Sequence, residues 1–322
     1  MEASRRNFLK CASAGSLGIL LSQCNRSTEP EISSECGDAQ WSGIGFGMEM
    51  SAEWYGVRSE SVEMLNAMIE RMIRGGESAF SLYSASSELS RLNSERKLEN
   101  PSEVFTKLLG LSGALVDRTL GLFQPAIHGA WSSLDGAALP DDWAQRIQAS
   151  SLDFVQVNEN EIRLTNPLMQ LSFNAIVQGV LADQVAQQAR NLGVTSALLH
   201  LGESYAIGQH PEGRDWSLAV MGTPVADEID LVGTIEFADA GLAVSAHDAT
   251  RKLVNPLTGE VMQYDRVVAV ASKEGAAVAD AFATAFAVAD ESQWEKLYKS
   301  LTLSEGGLVK LWQKNKLTFE RS

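Results

Sequence analysis

The chain has 322 residues, 45% of them hydrophobic, and a formal net charge of −15. That length and apolar content support one large domain or two interleaved lobes, and the acidic balance argues against a nucleic-acid partner. Four histidines and three cysteines leave little for a Cys/His metal site.

The first residues read as an address. Ser4-Arg5-Arg6-Asn7-Phe8-Leu9-Lys10 fits the twin-arginine export signature. A mild apolar segment follows, Cys11 to Leu21, interrupted by Gly15 and Gly18 and too short to span a bilayer. Residues 1–24 are therefore expected to be an export signal to the periplasm. Leu21-Ser22-Gln23-Cys24 is similar to a lipoprotein cleavage box, although Gln23 is bulky where a small residue is expected. Lipid anchorage at Cys24 and release without it both stay open. Residues 25–40 are polar, with Pro30 and Gly37, and read as a linker; 41–322 is the expected folded domain. Cys11 goes with the signal, so disulfides do not hold that domain despite its oxidising compartment. Twin-arginine substrates travel already folded, often around a cofactor, which points to a nucleotide or redox ligand.

In the domain, 41–57 alternates loosely and reads as one glycine-containing strand. The spacing of Val62, Leu65, Met68, Ile69, Met72 and Ile73 predicts a helix from Ser59, ended by Gly75-Gly76. A short helix follows, capped by Ser86 or Ser87, and another over 103–119 after Pro101-Ser102. Short strands are expected at 154–157, 162–164 and 169–173, with a turn at Asn158-Glu159-Asn160, and a long helix over 174–192. A strand pair around Gly202-Glu203 comes next. Further strands are expected at 217–221, 231–237, 242–245 and 266–271, a helix at 293–300, and a terminal hairpin around Lys314-Asn315. The helix over 276–289 is nearly all small and apolar apart from Asp280 and Thr284, which lie at i and i+4 on one face. A core helix whose aspartate caps a neighbour fits these residues. So does a Mg²⁺ site, since a buried lone carboxylate is costly without a partner and both side chains are hard oxygen ligands.

Several blocks, in order, carry a resemblance. They are Phe80-Ser81-Leu82-Tyr83 with Ser87-Glu88-Leu89-Ser90-Arg91-Leu92-Asn93; Gly121-Leu122-Phe123-Gln124-Pro125-Ala126, ending in Trp131; Ser172-Phe173-Asn174-Ala175-Ile176-Val177-Gln178-Gly179, with Asp183; Asn255-Pro256-Leu257-Thr258-Gly259; and Ala279-Asp280-Ala281-Phe282-Ala283-Thr284-Ala285. Together they resemble the FAD:protein FMN transferase family, the ApbE-type flavin transferases. The chain departs from that pattern at Gln124, Ala126 and Ser172. Glu203 stands in place of a glycine, and Lys252 in place of a histidine.

The resemblance implies an α+β, ApbE-like fold of two interleaved α/β lobes, with mixed or antiparallel sheets and a cofactor cleft between them. It implies FAD as substrate, Mg²⁺ on its diphosphate, a threonine of a membrane-associated redox protein as acceptor, and AMP as product. By that likeness Asp280, Thr284 and the Val177 carbonyl hold the metal. Gly179 and nearby amides take phosphate oxygens. Tyr83, Phe123, Gln124, Ser172, Gln178, Asp183 and Lys252 belong to the flavin site. Asp183 reads either as a ribose contact or as a cap of its helix, and the block with Glu88, Arg91 and Asn93 as a brace. With the family's histidine absent, His247, oriented by Asp248, is the candidate base and Lys252 the charge stabiliser. A surface histidine in a turn also fits His247, and His128 and His200 read as core or loop histidines. A non-catalytic FAD carrier and an FAD pyrophosphatase are the rival functions.

Overall fold

The computed structural model describes residues 36–134, 139–222, 231–247, 253–262, 266–302 and 306–322. It starts with a hairpin, β1 (Cys36–Gly45) and β2 (Met48–Arg58), where one strand was expected. Phe46 and Gly47 make its turn, with φ of 51° and 75°. Pairing reaches back to Cys36 opposite Arg58, so residues 36–40 belong to the sheet rather than to the linker.

Helix α1 (Ser59–Phe80) buries Leu65, Met68, Ile69 and Ile73 on one face, as its periodicity requires. It does not stop at Gly75-Gly76. The Phe46 ring packs against Gly76, and Glu77 accepts the Phe46 N–H at 2.8 Å, so this stretch seats the hairpin turn. Helix α2 (Glu88–Glu95) is capped by Ser87, whose Oγ accepts the Ser90 N–H at 3.0 Å. Strand β3 (Lys97–Glu99), α3 (Glu103–Arg118), α4 (His128–Trp131), α5 (Trp143–Gln148), β4 (Val155–Asn158) and β5 (Glu161–Leu164) follow. A small sheet forms in the order β3-β5-β4.

Residues 169–173 do not form the expected strand; Gln170 makes a single bridge to Ile127. Side chains replace the strand partner. The Asn93 amide donates to the Leu171 carbonyl and accepts the Leu171 N–H, both at 2.8 Å, and Arg96 donates to the Met169 carbonyl. The α2 block thus braces the approach to the next helix, the role expected of it.

The remaining elements are α6 (Val177–Asn191), β6 (Ser196–Leu201), β7 (Glu203–Ile207), β8 (Trp216–Met221), β9 (Leu231–Phe237), β10 (Ala240–His247), β11 (Arg266–Ser272), α7 (Ala276–Val288), α8 (Glu291–Leu301), β12 (Gly307–Gln313) and β13 (Lys316–Arg321). The main sheet runs β1-β2-β6-β7-β10-β11-β12-β13. Its neighbours are all antiparallel. Strand β11 is buried throughout because both its faces are covered. Val268 and Val270 join the core that holds α7, while Val267, Ala269 and Ala271 meet Trp216, Ile235 and Phe237 of the β8–β9 hairpin. Helix α7 therefore lies inside the molecule, against β10, β11 and α6.

Candidate active site

A helix buried along its length must find partners for the backbone groups at both ends. At the start of α7, Asp183 from α6 accepts the Ala276 N–H at 2.6 Å and the Ala277 N–H at 3.0 Å. At its end, Arg266 donates to the carbonyls of Phe286, Ala287 and Ala289 at 3.2, 3.0 and 2.8 Å, and Asn255 donates to that of Val288 at 3.1 Å. An anion at the N-terminus and a cation at the C-terminus match the helix dipole. Burial pushes the Asp183 carboxyl up to about 6, with the Ala277 and Ala276 amides opposing. Both its oxygens are engaged, so Asp183 is read as the anchor of α7 rather than as a ribose contact.

Along α7 every residue is buried except Thr284. One turn before it, Asp280 is 7% exposed, and its Oδ2 finds no hydrogen-bond partner among the described residues. Desolvation pushes its carboxyl up to about 8. Two of the expected ligands thus stand one turn apart on the face of α7 that carries its one incompletely buried residue. Among the described residues no three His, Cys, Asp or Glu side chains group to hold a metal, so hydroxyl, peptide or substrate oxygens would complete the shell of a cation on Asp280.

Helix α6 passes close to α7. A Cβ on Gly179 would stand 2.6 Å from backbone atoms of Ala276 and Ala277. Gly179 is therefore a packing residue, whose lack of a side chain admits α7. Val177 opens α6, and no side chain caps that end, which leaves it suited to an anion. Gln178 abuts the β6–β7 turn, where a Cβ on Gly202, at φ 97°, would lie 2.6 Å from Gln178 Cδ. Ser172 donates its N–H to the Pro125 carbonyl at 2.9 Å, so the two blocks that carry Gln124 and Ser172 meet in space. Gln124 turns its amide oxygen to the Ala126 N–H at 3.2 Å.

Two expectations about aromatic residues separate. Tyr83 is 72% exposed between α1 and α2. Phe123 is 2% exposed within the large core, and its N–H bonds to Thr119 Oγ1 at 3.2 Å. Packing excludes the Phe123 ring from a flavin wall. His200 sits on β6 with Nδ1 2.9 Å from Ser204 Oγ, and His128 stacks on Trp131 at 6.0 Å between centroids. Both are half-buried on regular elements, a helix and a strand, rather than in the core or a loop. His247 closes β10 opposite Arg266; its side chain lies outside the described residues, as do Asp248 and Lys252.

One carboxylate at the site was not expected there. Glu203 opens β7 directly after Gly202. Burial and the neighbouring Asp280 carboxylate both hold its carboxyl well above the usual range, and the Val244 amide opposes them.

Solved structures with the same architecture include a flavin transferase ApbE from Vibrio cholerae. It has a TM-score of 0.72 and 18% identity, over 89% of this chain and 98% of that one. An ApbE protein from Thermotoga maritima matches with a TM-score of 0.71 and 16% identity, over 88% of this chain and 100% of that one. Both likenesses show the α+β fold. Among curated proteins, the FAD:protein FMN transferase of Haemophilus influenzae is 25% identical over 203 residues, 57% of this chain and 58% of its own length. That of Rhodobacter capsulatus is 25% identical over 278 residues, 78% of this chain and 51% of its own length. The chain thus spans little more than half the length of these relatives. The model of the ApbE family matches residues 46–305, well over half of the sequence, and the chain belongs to the ApbE family.

Proposed function

We propose that this chain transfers the FMN part of FAD to a threonine hydroxyl of a protein acceptor and releases AMP. The observation that carries the reading is Asp280, a buried carboxylate with an oxygen left without a partner among the described residues. Nothing structural is gained by such a group. The names of the curated relatives support the same activity.

The donor set fits a hard divalent cation. Asp280, Thr284 and the Val177 carbonyl would hold Mg²⁺, which when bound would offset the charge of the diphosphate and of departing AMP. The open start of α6 offers amides to phosphate oxygens. Gln124, Ser172 and Gln178 contribute polar groups around it, and the exposed Tyr83 ring offers an aromatic wall to the isoalloxazine or the adenine. A bond forms from the threonine oxygen to the FMN phosphorus as the bond to the AMP oxygen breaks. The hydroxyl proton goes to His247, and Lys252 steadies the developing negative charge.

The same reading places the protein in the periplasm, exported through Arg5 and Arg6, with a membrane-associated redox protein as acceptor and a lipid on Cys24 as a further tie to the membrane. Mass spectrometry after incubation with FAD, Mg²⁺ and a threonine acceptor peptide tests the activity. A peptide gaining the mass of FMN supports transfer. Free FMN with unmodified peptide indicates hydrolysis, and tight FAD with neither product indicates a carrier; either outcome defeats the proposal.

A further inference from the structure

Three placements bear on the Glu203 carboxylate. The tight turn between β6 and β7 pairs Leu201 with Glu203, so Glu203 projects from the strand end nearest α6, where Gly202 already abuts Gln178. Strand β7 lies beside β10, with Ser204 opposite Leu242, and α7 packs on both strands. Glu203 and Asp280 consequently act on each other through space. Asp280 is more than nine-tenths buried, and its Oδ2 is without a partner among the described residues. Among those residues no lysine or arginine is paired with either carboxylate.

A half-buried carboxylate brought beside a buried one repels it unless a proton or a cation lies between them. A shared proton needs no more than those two groups. A cation also explains the hydroxyl of Thr284 on the same face of α7, at its one point of access. We propose that Glu203 is a second carboxylate ligand of the divalent cation held by Asp280. With two negative ligands the chain itself neutralises the ion, so the site takes it before any flavin arrives. This rests on the cation site of the proposed transferase and adds to it a ligand and an order of binding.

The test uses Mn²⁺ as the probe, titrated into the flavin-free chain and read by the electron paramagnetic resonance of the free ion. The expected result is one bound Mn²⁺ per chain, weakened roughly tenfold or more by Glu203→Gln, the scale of losing one charged ligand. Glu203→Gly should do the same, and circular dichroism checks that both variants fold. Asp280→Asn separates the two readings. If it loses Mn²⁺ while both Glu203 variants keep wild-type affinity, the cation site stands and the role of Glu203 is overturned. If all three keep wild-type affinity, the cation site itself fails. A flavin-free chain that binds no Mn²⁺ also overturns the proposal and leaves the shared proton as the account of the pair.

Discussion

Asp183 illustrates how a buried acid is decided by its partners. It accepts from two amides at the start of α7, so Asp183→Ala strands two buried donors at once. The expected cost is roughly 2–4 kcal/mol in urea denaturation. Its folded carboxyl is raised from 3.8 to about 6, so between those values the folded state keeps a proton that the unfolded state has released. The stability this contributes is complete below pH 3.8 and is lost as pH rises through about 6. Over that window wild-type stability should fall relative to Asp183→Asn, which does not titrate. Parallel curves for the two proteins would contradict the burial argument. Sequence alone left Asp183 between a ribose contact and a helix cap, because the groups that engage it lie 93 and 94 residues further along the chain.

At the scale of elements, what periodicity and turn residues control was readable. The strand Leu231–Phe237 falls where its pattern put it, and the terminal hairpin turns at Lys314 and Asn315, with φ of 49° and 60°. What failed was local punctuation overruled by tertiary contacts. Gly75 and Gly76 are helix breakers by rule, yet the Phe46 ring occupies the space beside Gly76 and the helix continues to Phe80. Residues 169–173 have strand character, but Asn93 and Arg96 take their backbone groups. The site divides in the same way. Asp280 and Thr284 were visible as the two polar residues in an apolar run. Arg266 and Glu203 were not, because each draws its meaning from a partner distant in sequence. A basic residue heading the apolar run Arg266-Val267-Val268-Ala269-Val270-Ala271 was the available signal for a buried charge that needs carbonyls.

For the whole molecule, an acidic domain of the ApbE family holds a buried helix whose Asp280 Oδ2 has no hydrogen-bond partner among the described residues, and residues 1–24 are proposed to export it. Export is checked by Arg5→Lys with Arg6→Lys, which should hold the precursor in the cytoplasm; normal arrival in the periplasm would contradict the address. The central claim is that Asp280 is kept for chemistry at a cost to the fold. Its carboxyl is raised from 3.8 to about 8, so ionisation removes stability as pH rises through that range. Asp280→Asn keeps the shape and avoids the charge, and its thermal midpoint serves as the fold control. That midpoint should equal or exceed wild type, with the largest gain above pH 8. The most direct measurement is the rate of FMN transfer by this folded variant at saturating FAD and Mg²⁺. The account predicts a loss on the order of 100-fold or more, since a bound ion supplies several kcal/mol to the transition state. A folded Asp280→Asn chain that transfers FMN at the wild-type rate would contradict it.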